Sequence, residues 1–154
     1  KQLSEIAISS ARVVRLFGFD PKVAFVSHST FGQPLTNRTK HIKEAVEILK
    51  EKKVDFEFDG DMQPDVALNE EYKSLYPFSK IVGNANILIM PGQHSAAISY
   101  KMMKTLGDIK VIGPLLIGLG LPIEIAPLRS STSEIINLAS IAAYSADVIN
   151  YKKN

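Results

Sequence analysis

The sequence predicts an α/β fold: three layers, α/β/α, around a mostly parallel sheet. Three observations carry that expectation. Helical and extended patterns alternate along the 154 residues. Extended runs such as Val23-Ala24-Phe25-Val26 and Asn86-Ile87-Leu88-Ile89-Met90 are continuously apolar rather than alternating, which suits strands covered on both faces. Polar or Pro/Gly-containing loops at 27–33, 59–65, 91–95 and 127–132 lie beyond the strands' carboxyl ends, where ligands gather in sheets of this kind.

The elements follow in order. Leu3, Ile6, Ala7, Val14 and Phe17 share one face of a helix over about 2–17, which Gly18 ends. Pro21 introduces the strand Val23-Ala24-Phe25-Val26, and Ser27-His28-Ser29-Thr30-Phe31-Gly32 forms the turn beyond it. Ile42, Ala45, Val46 and Leu49 mark a helix of about 37–52. The strand Phe56-Glu57-Phe58-Asp59 runs out into Gly60-Asp61-Met62-Gln63-Pro64-Asp65, and a shorter helical stretch within 65–76 stops at Pro77. The apolar run at 86–90 ends at Pro91-Gly92, and a helix over 94–106 is stopped by Gly107. Residues 111–116 and 123–126 read as two further strands. A last helix over about 132–150 carries Ile135, Ile136, Leu138, Ala139, Ile141, Ala142, Ala143, Ala146, Val148 and Ile149. It is apolar nearly all round, so it needs cover on two sides, and a homodimer built partly on it is expected.

Composition narrows the function. With 45% hydrophobic and 22% charged residues the chain has the make-up of a globular domain. Its net charge of +2, with basic residues set among acidic ones as in Lys50-Glu51-Lys52-Lys53, argues against a nucleic-acid surface. No apolar run reaches the roughly 18 to 20 residues of a membrane span. The absence of cysteine removes disulfides and thiol chemistry and fits a reducing, cytoplasmic setting. The chain starts at Lys1 on a helical pattern already under way, which reads as a piece of a longer polypeptide.

The strongest local signal is Arg129-Ser130-Ser131-Thr132 ahead of the last helix. Ser131 and Glu134 form a capping box, and a capped helix start beside an arginine can seat a phosphate or carboxylate. The alternative is plain surface charge. Ser29 and Thr30 offer hydroxyls in a strand-to-helix turn, as a phosphate subsite or as a solvated connector. His28 and His94 lack an evident third ligand, and Asp59, Asp61 and Asp65 read as turn formers as readily as a magnesium site. No dinucleotide fingerprint or nucleophile elbow is present. The residues thus favour holding an anion over reacting with one.

The same stretches resemble the second lobe of phosphotransacetylases, the phosphate acetyl- and butyryltransferases. The likeness runs through Phe17-Gly18-Phe19-Asp20-Pro21-Lys22-Val23-Ala24, the turns at 27–32 and 59–65, Gly83-Asn84-Ala85-Asn86, Tyr100-Lys101 and Ile112-Gly113-Pro114. Tyr76-Pro77-Phe78-Ser79 before Gly83 resembles in particular the phosphotransacetylase-like C-terminal domain of bacterial NADP-dependent malic enzymes. That resemblance implies one lobe, residues 1–154, of a longer chain. NADP and Mg2+ or Mn2+ would then bind in upstream catalytic domains, and this lobe itself would hold no cofactor. It implies a regulatory and oligomerising role, with acetyl-CoA or a related acyl-CoA or phosphate metabolite bound by Arg129, Ser131, Thr132, Ser29 and Thr30. The homodimer would build into a higher oligomer.

The departures bear on chemistry. Where active members have a serine before the arginine and an aspartate beyond it, this chain has Leu128 and Ile135. Leucine cannot hydrogen-bond a thiol or phosphate, and isoleucine cannot accept a proton. No catalytic residue is therefore assigned, and an active phosphate acetyl/butyryltransferase is the alternative.

Overall fold

The computed structural model describes residues 1–34 and 36–151; the side chains of Arg38, Val148, Ile149 and the residues beyond lie outside what is described. The chain divides into two compact units, Lys1–Ser99 and Tyr100–Asn154.

The first unit is a three-layer α/β/α arrangement. It runs α1 (Gln2–Leu16), β1 (Lys22–Val26), α2 (Asn37–Glu51), β2 (Glu57–Met62), the short α3 (Pro64–Leu68) and α4 (Glu70–Lys73), then β3 (Ile87–Ile89). The strands form a parallel sheet in the order β2-β1-β3. Parallel neighbours need crossovers, and α2 and the α3–α4 pair supply them. Side chains alternate across the sheet. Val23, Phe25, Ile87 and Ile89 pack with Ala7 and Ala11 of α1 and Ile42, Ala45 and Leu49 of α2. On the other face Ala24 and Met62 pack with Val66 and Ala67 of α3 and with Ile81 and Ala85, and Leu88 lies against them. Two covered faces explain why β1 and β3 show no polar alternation, whereas the edge strand β2 carries Glu57, Asp59 and Asp61.

Local chemistry fixes the joins. Gly18, at φ 81°, turns the chain out of α1, a conformation without steric cost for glycine. Asn86 clamps the starts of two strands: its Oδ1 accepts from the Lys22 amide at 2.8 Å and its Nδ2 donates to the Asp20 carbonyl at 2.8 Å. Arg15 donates to the Asp55 carboxylate at 3.0 Å and to its carbonyl at 2.9 Å, and this hydrogen bond holds the Asp55 carboxyl below its ordinary pKa. Pro64 opens α3, where its missing N–H is no loss.

The β1–β2 ladder contains an irregularity. Phe25 pairs with Gly60 but Val26 pairs with Met62, so Asp61 is an extra residue with no partner across the ladder. A bulge of this kind re-aims one side chain. Gly60 is required beside it: at φ 146° a Cβ there would lie 2.7 Å from the Phe25 carbonyl oxygen.

α5 (Gln93–Leu106) begins in the first unit and continues into the second, which ends with α6 (Thr132–Tyr151). The strands expected at 111–116 and 123–126 do not form among the described residues. Pro114 has no amide to donate, and the Leu116 amide is taken at 3.1 Å by the Glu124 carboxylate instead of a neighbouring carbonyl. Ile112, Ile123 and Ile125 are about half exposed, so no core draws this run into a ladder. Within this unit Lys104 of α5 donates to Glu134 of α6 at 2.6 Å. Among the described residues no helix is long and apolar enough to cross a membrane.

Candidate functional site

In the second unit, the loop before α6 is organised by the expected capping box. The Ser131 amide donates to Glu134 Oε2 at 2.8 Å, and the Glu134 amide donates back to Ser131 Oγ at 3.3 Å. The Lys104 ammonium and the Ser131 amide and hydroxyl together hold the Glu134 carboxyl at about 2, against an ordinary 4.5. Ser131 is thus occupied in building the helix start. Thr132, the first residue of α6, and Arg129 are exposed, and Arg129 forms no ion pair with a described residue. Leu128 beside it is fully exposed. What this loop can offer an anion is one guanidinium and those helix-start amides that the capping box does not take up.

In the first unit, Ser29 and Thr30 are buried, at 0% and 5% exposure. Ser29 Oγ donates to Asp61 Oδ2 and lies 3.3 Å from Ser27 Oγ, which is itself 3.4 Å from His28 Nδ1. Thr30 Oγ1 accepts from the Gln63 amide at 3.2 Å. The two hydroxyls therefore pin the turn after β1 to the end of β2. Ser29 and Thr30 belong to the first unit, and Arg129, Ser131 and Thr132 to the second.

Asp59, Gly60 and Asp61, expected in a turn but placed by the structure within the bulged β2, line a cavity of about 270 Å³ against α2, a feature that sequence reasoning missed. Phe31 and Phe78 form its aromatic wall, their rings 4.8 Å apart edge to face. Phe31 sits at φ 49°, unusual for a bulky residue. Its amide donates to the Asp61 carbonyl at 2.6 Å, and its ring also meets Tyr76 at 5.5 Å. Lys43 and Lys80 border the cavity, as do Lys50 and Glu47, which pair with each other at 2.5 Å. The only sequence signal for this pocket was the clustering of Asp59 and Asp61 at a strand end.

The three aspartates do separate work. Asp59 accepts from the Gly60 amide at 3.0 Å and the Lys80 amide at 2.8 Å, and Asp65 accepts from the Val66 amide at 3.0 Å. Asp61 is fully buried, and its Oδ1 has no hydrogen-bond partner among the described residues. Among the described residues no three histidine or carboxylate side chains converge as metal ligands.

Known proteins share this fold. Residues 1–143 match the family described as phosphate acetyl/butaryl transferase. The chain is 47% identical over 146 residues to the NADP-dependent malic enzyme of Rhizobium meliloti (strain 1021), covering 95% of this chain and 19% of that protein. It is 35% identical over 147 residues to the phosphate acetyltransferase of Bacillus subtilis (strain 168), covering 95% of this chain and 46% of that one. A phosphotransacetylase structure from Streptococcus pyogenes superposes with a TM-score of 0.86 at 36% identity, over 94% of this chain and 44% of that chain. The chain thus spans about a fifth of its malic enzyme relatives and less than half of that phosphate acetyltransferase.

Proposed function

Because the chain belongs to the phosphate acetyl/butaryl transferase family, we propose that it is the regulatory and oligomerising domain of an NADP-dependent malic enzyme, its acyl-CoA cleft retained for binding and not for turnover. The parent would oxidatively decarboxylate malate to pyruvate and CO2. NADP and a divalent metal, Mg2+ or Mn2+, would act in its other domains, and no step of that chemistry is assigned to residues here. Acetyl-CoA, or a related acyl-CoA or phosphate metabolite, is the proposed effector.

One observation carries this reading: Arg129, which forms no ion pair with a described residue, stands at the capped start of α6 next to a fully exposed Leu128. The anion-holding half of the site is kept, while Leu128 and Ile135 stand where the resemblance calls for a serine and an aspartate. Arg129 and Thr132 are assigned direct contact with the effector. Ser131 acts through the helix start, and Ser29 and Thr30 through the turn they hold. The apolar residues of α6, such as Ile135 and Ile136 at 49% and 58% exposure, are assigned to a homodimer interface, and the dimer to a larger cytoplasmic assembly.

Calorimetry of acetyl-CoA against the full-length protein tests the reading, with Arg129→Ala alongside. The variant is expected to bind about tenfold more weakly, as loss of a charge-assisted hydrogen bond would give. Acetyl-CoA is expected to change the rate of malate oxidation, since regulation requires an affinity that differs between two states. Equal affinities would remove Arg129 from the site, and an unchanged rate would remove the regulatory role. The 35% identity to a phosphate acetyltransferase keeps a second reading in play, an active acyltransferase. Acetyl phosphate formed from acetyl-CoA and phosphate by the full-length protein would favour it.

A further inference from the structure

We infer that the cavity between α2 and the end of β2 is a second ligand site, one that takes a nucleoside phosphate such as AMP. Three features of the first unit point to the same ligand. The first is Asp61, wholly buried at a bulge, with Oδ2 held by Ser29 and Oδ1 lacking any partner among the described residues. A buried carboxylate oxygen left open is costly; Asp61 is among the residues lining the cavity, and a ligand N–H or O–H that parts the side chains covering it would satisfy it. Asp59 next to it needs nothing, since two backbone amides already occupy its oxygens.

The second feature is charge. Lys43 and Lys80 border the cavity, are exposed, and make no ion pair with a described residue. Two unpaired ammonium groups at the mouth suit a phosphate. The third is the aromatic wall. Phe78 is 64% exposed although its ring meets Phe31, so it keeps surface for a flat ring to cover. Inorganic phosphate would answer only the lysines, and an apolar ligand only the phenylalanines. A nucleotide answers all three, with amino or ribose hydroxyl donors for Asp61, a base for the aromatic wall and phosphate for the lysines.

The cavity lies at the edge of the sheet, between β2 and α2. Its residues come from the first unit alone. The proposal therefore stands apart from the acetyl-CoA reading, and either can fail without the other.

Calorimetry on the full-length protein decides it, with AMP, adenosine and inorganic phosphate as titrants. AMP is expected to bind, and inorganic phosphate at least about tenfold more weakly. Lys43→Glu combined with Lys80→Glu should weaken AMP by a further factor of about ten or more and leave adenosine nearly unchanged. Phe78→Ala, a change at an exposed ring, should weaken both AMP and adenosine and serves as the second variant should the charge reversal disturb folding. Absence of AMP binding overturns the proposal. So does phosphate binding as tightly as AMP, or AMP affinity that neither variant alters.

Discussion

Ser29 donates its hydroxyl to Asp61 across 32 residues of sequence, and both side chains are fully buried. Asp61 reaches Ser29 because it is the bulged residue of β2, set free from the ladder opposite Phe25 and Val26. This one contact ties the turn after β1 to the end of β2 and shapes the floor of the cavity beside them.

Ser29→Ala should therefore be costly for so small a change. It leaves Asp61 without its side-chain donor in a site that water does not reach, a loss of about 2 kcal/mol. Urea denaturation of the variant measures it. A midpoint unchanged from wild type would mean that the pair contributes nothing to stability.

Gly60→Ala tests the close approach of β2 to β1. The new methyl would meet the Phe25 carbonyl oxygen at 2.7 Å and Phe25 Cβ at 2.8 Å, at a φ of 146° that side chains rarely adopt. Backbone strain of about 1–3 kcal/mol is expected, with the end of β2 pushed away from β1. Thermal melting gives the loss, and amide chemical shifts of Phe25 and Val26 report where it falls.

Lys73→Met should stabilise the protein. Lys73 is 6% exposed and its Nζ has no hydrogen-bond partner among the described residues, and burial lowers its pKa from the ordinary 10.5. Removing an unsatisfied ammonium while keeping the apolar stem is worth about 1 kcal/mol. In the wild type the unfolded chain holds this proton more tightly, so stability should rise with pH in the interval below 10.5 and the variant should lack that rise. A destabilised variant would show that Nζ has a partner in solution.

The cap of α6 should fail in acid. Glu134 titrates at about 2 in the folded protein and at 4.5 unperturbed, so its contribution is complete above 4.5 and is lost as pH falls through 2. The Lys104 hydrogen bond is the chief cause, with the Ser131 amide next. NMR titration of the Glu134 carboxyl is expected to give a midpoint near 2, and Glu134→Gln should remove the acid dependence in that window. A midpoint near 4.5 would mean the ion pair and cap do not form.

By itself the sequence determined what is local and periodic. Apolar spacing located α1, α2 and α6, Gly107 marked the end of α5, continuous apolar runs located β1 and β3, and the alternating Phe56-Glu57-Phe58-Asp59 located the first half of β2. The Ser131–Glu134 cap was readable because its two residues are three apart on one helix start. Arg129 was legible for the same reason, standing just ahead of that cap. The apolar stretch at 111–126 misled, because hydrophobicity can mark a strand but cannot supply the neighbour whose carbonyls and amides it must pair with. Only the tertiary structure decided the bulge at Asp61, its bond to Ser29 and the convergence of Phe31, Lys43, Phe78 and Lys80 on one cavity. Those contacts join segments far apart in the chain. They depend on which strands lie side by side and in what register, and no short window of sequence contains that information.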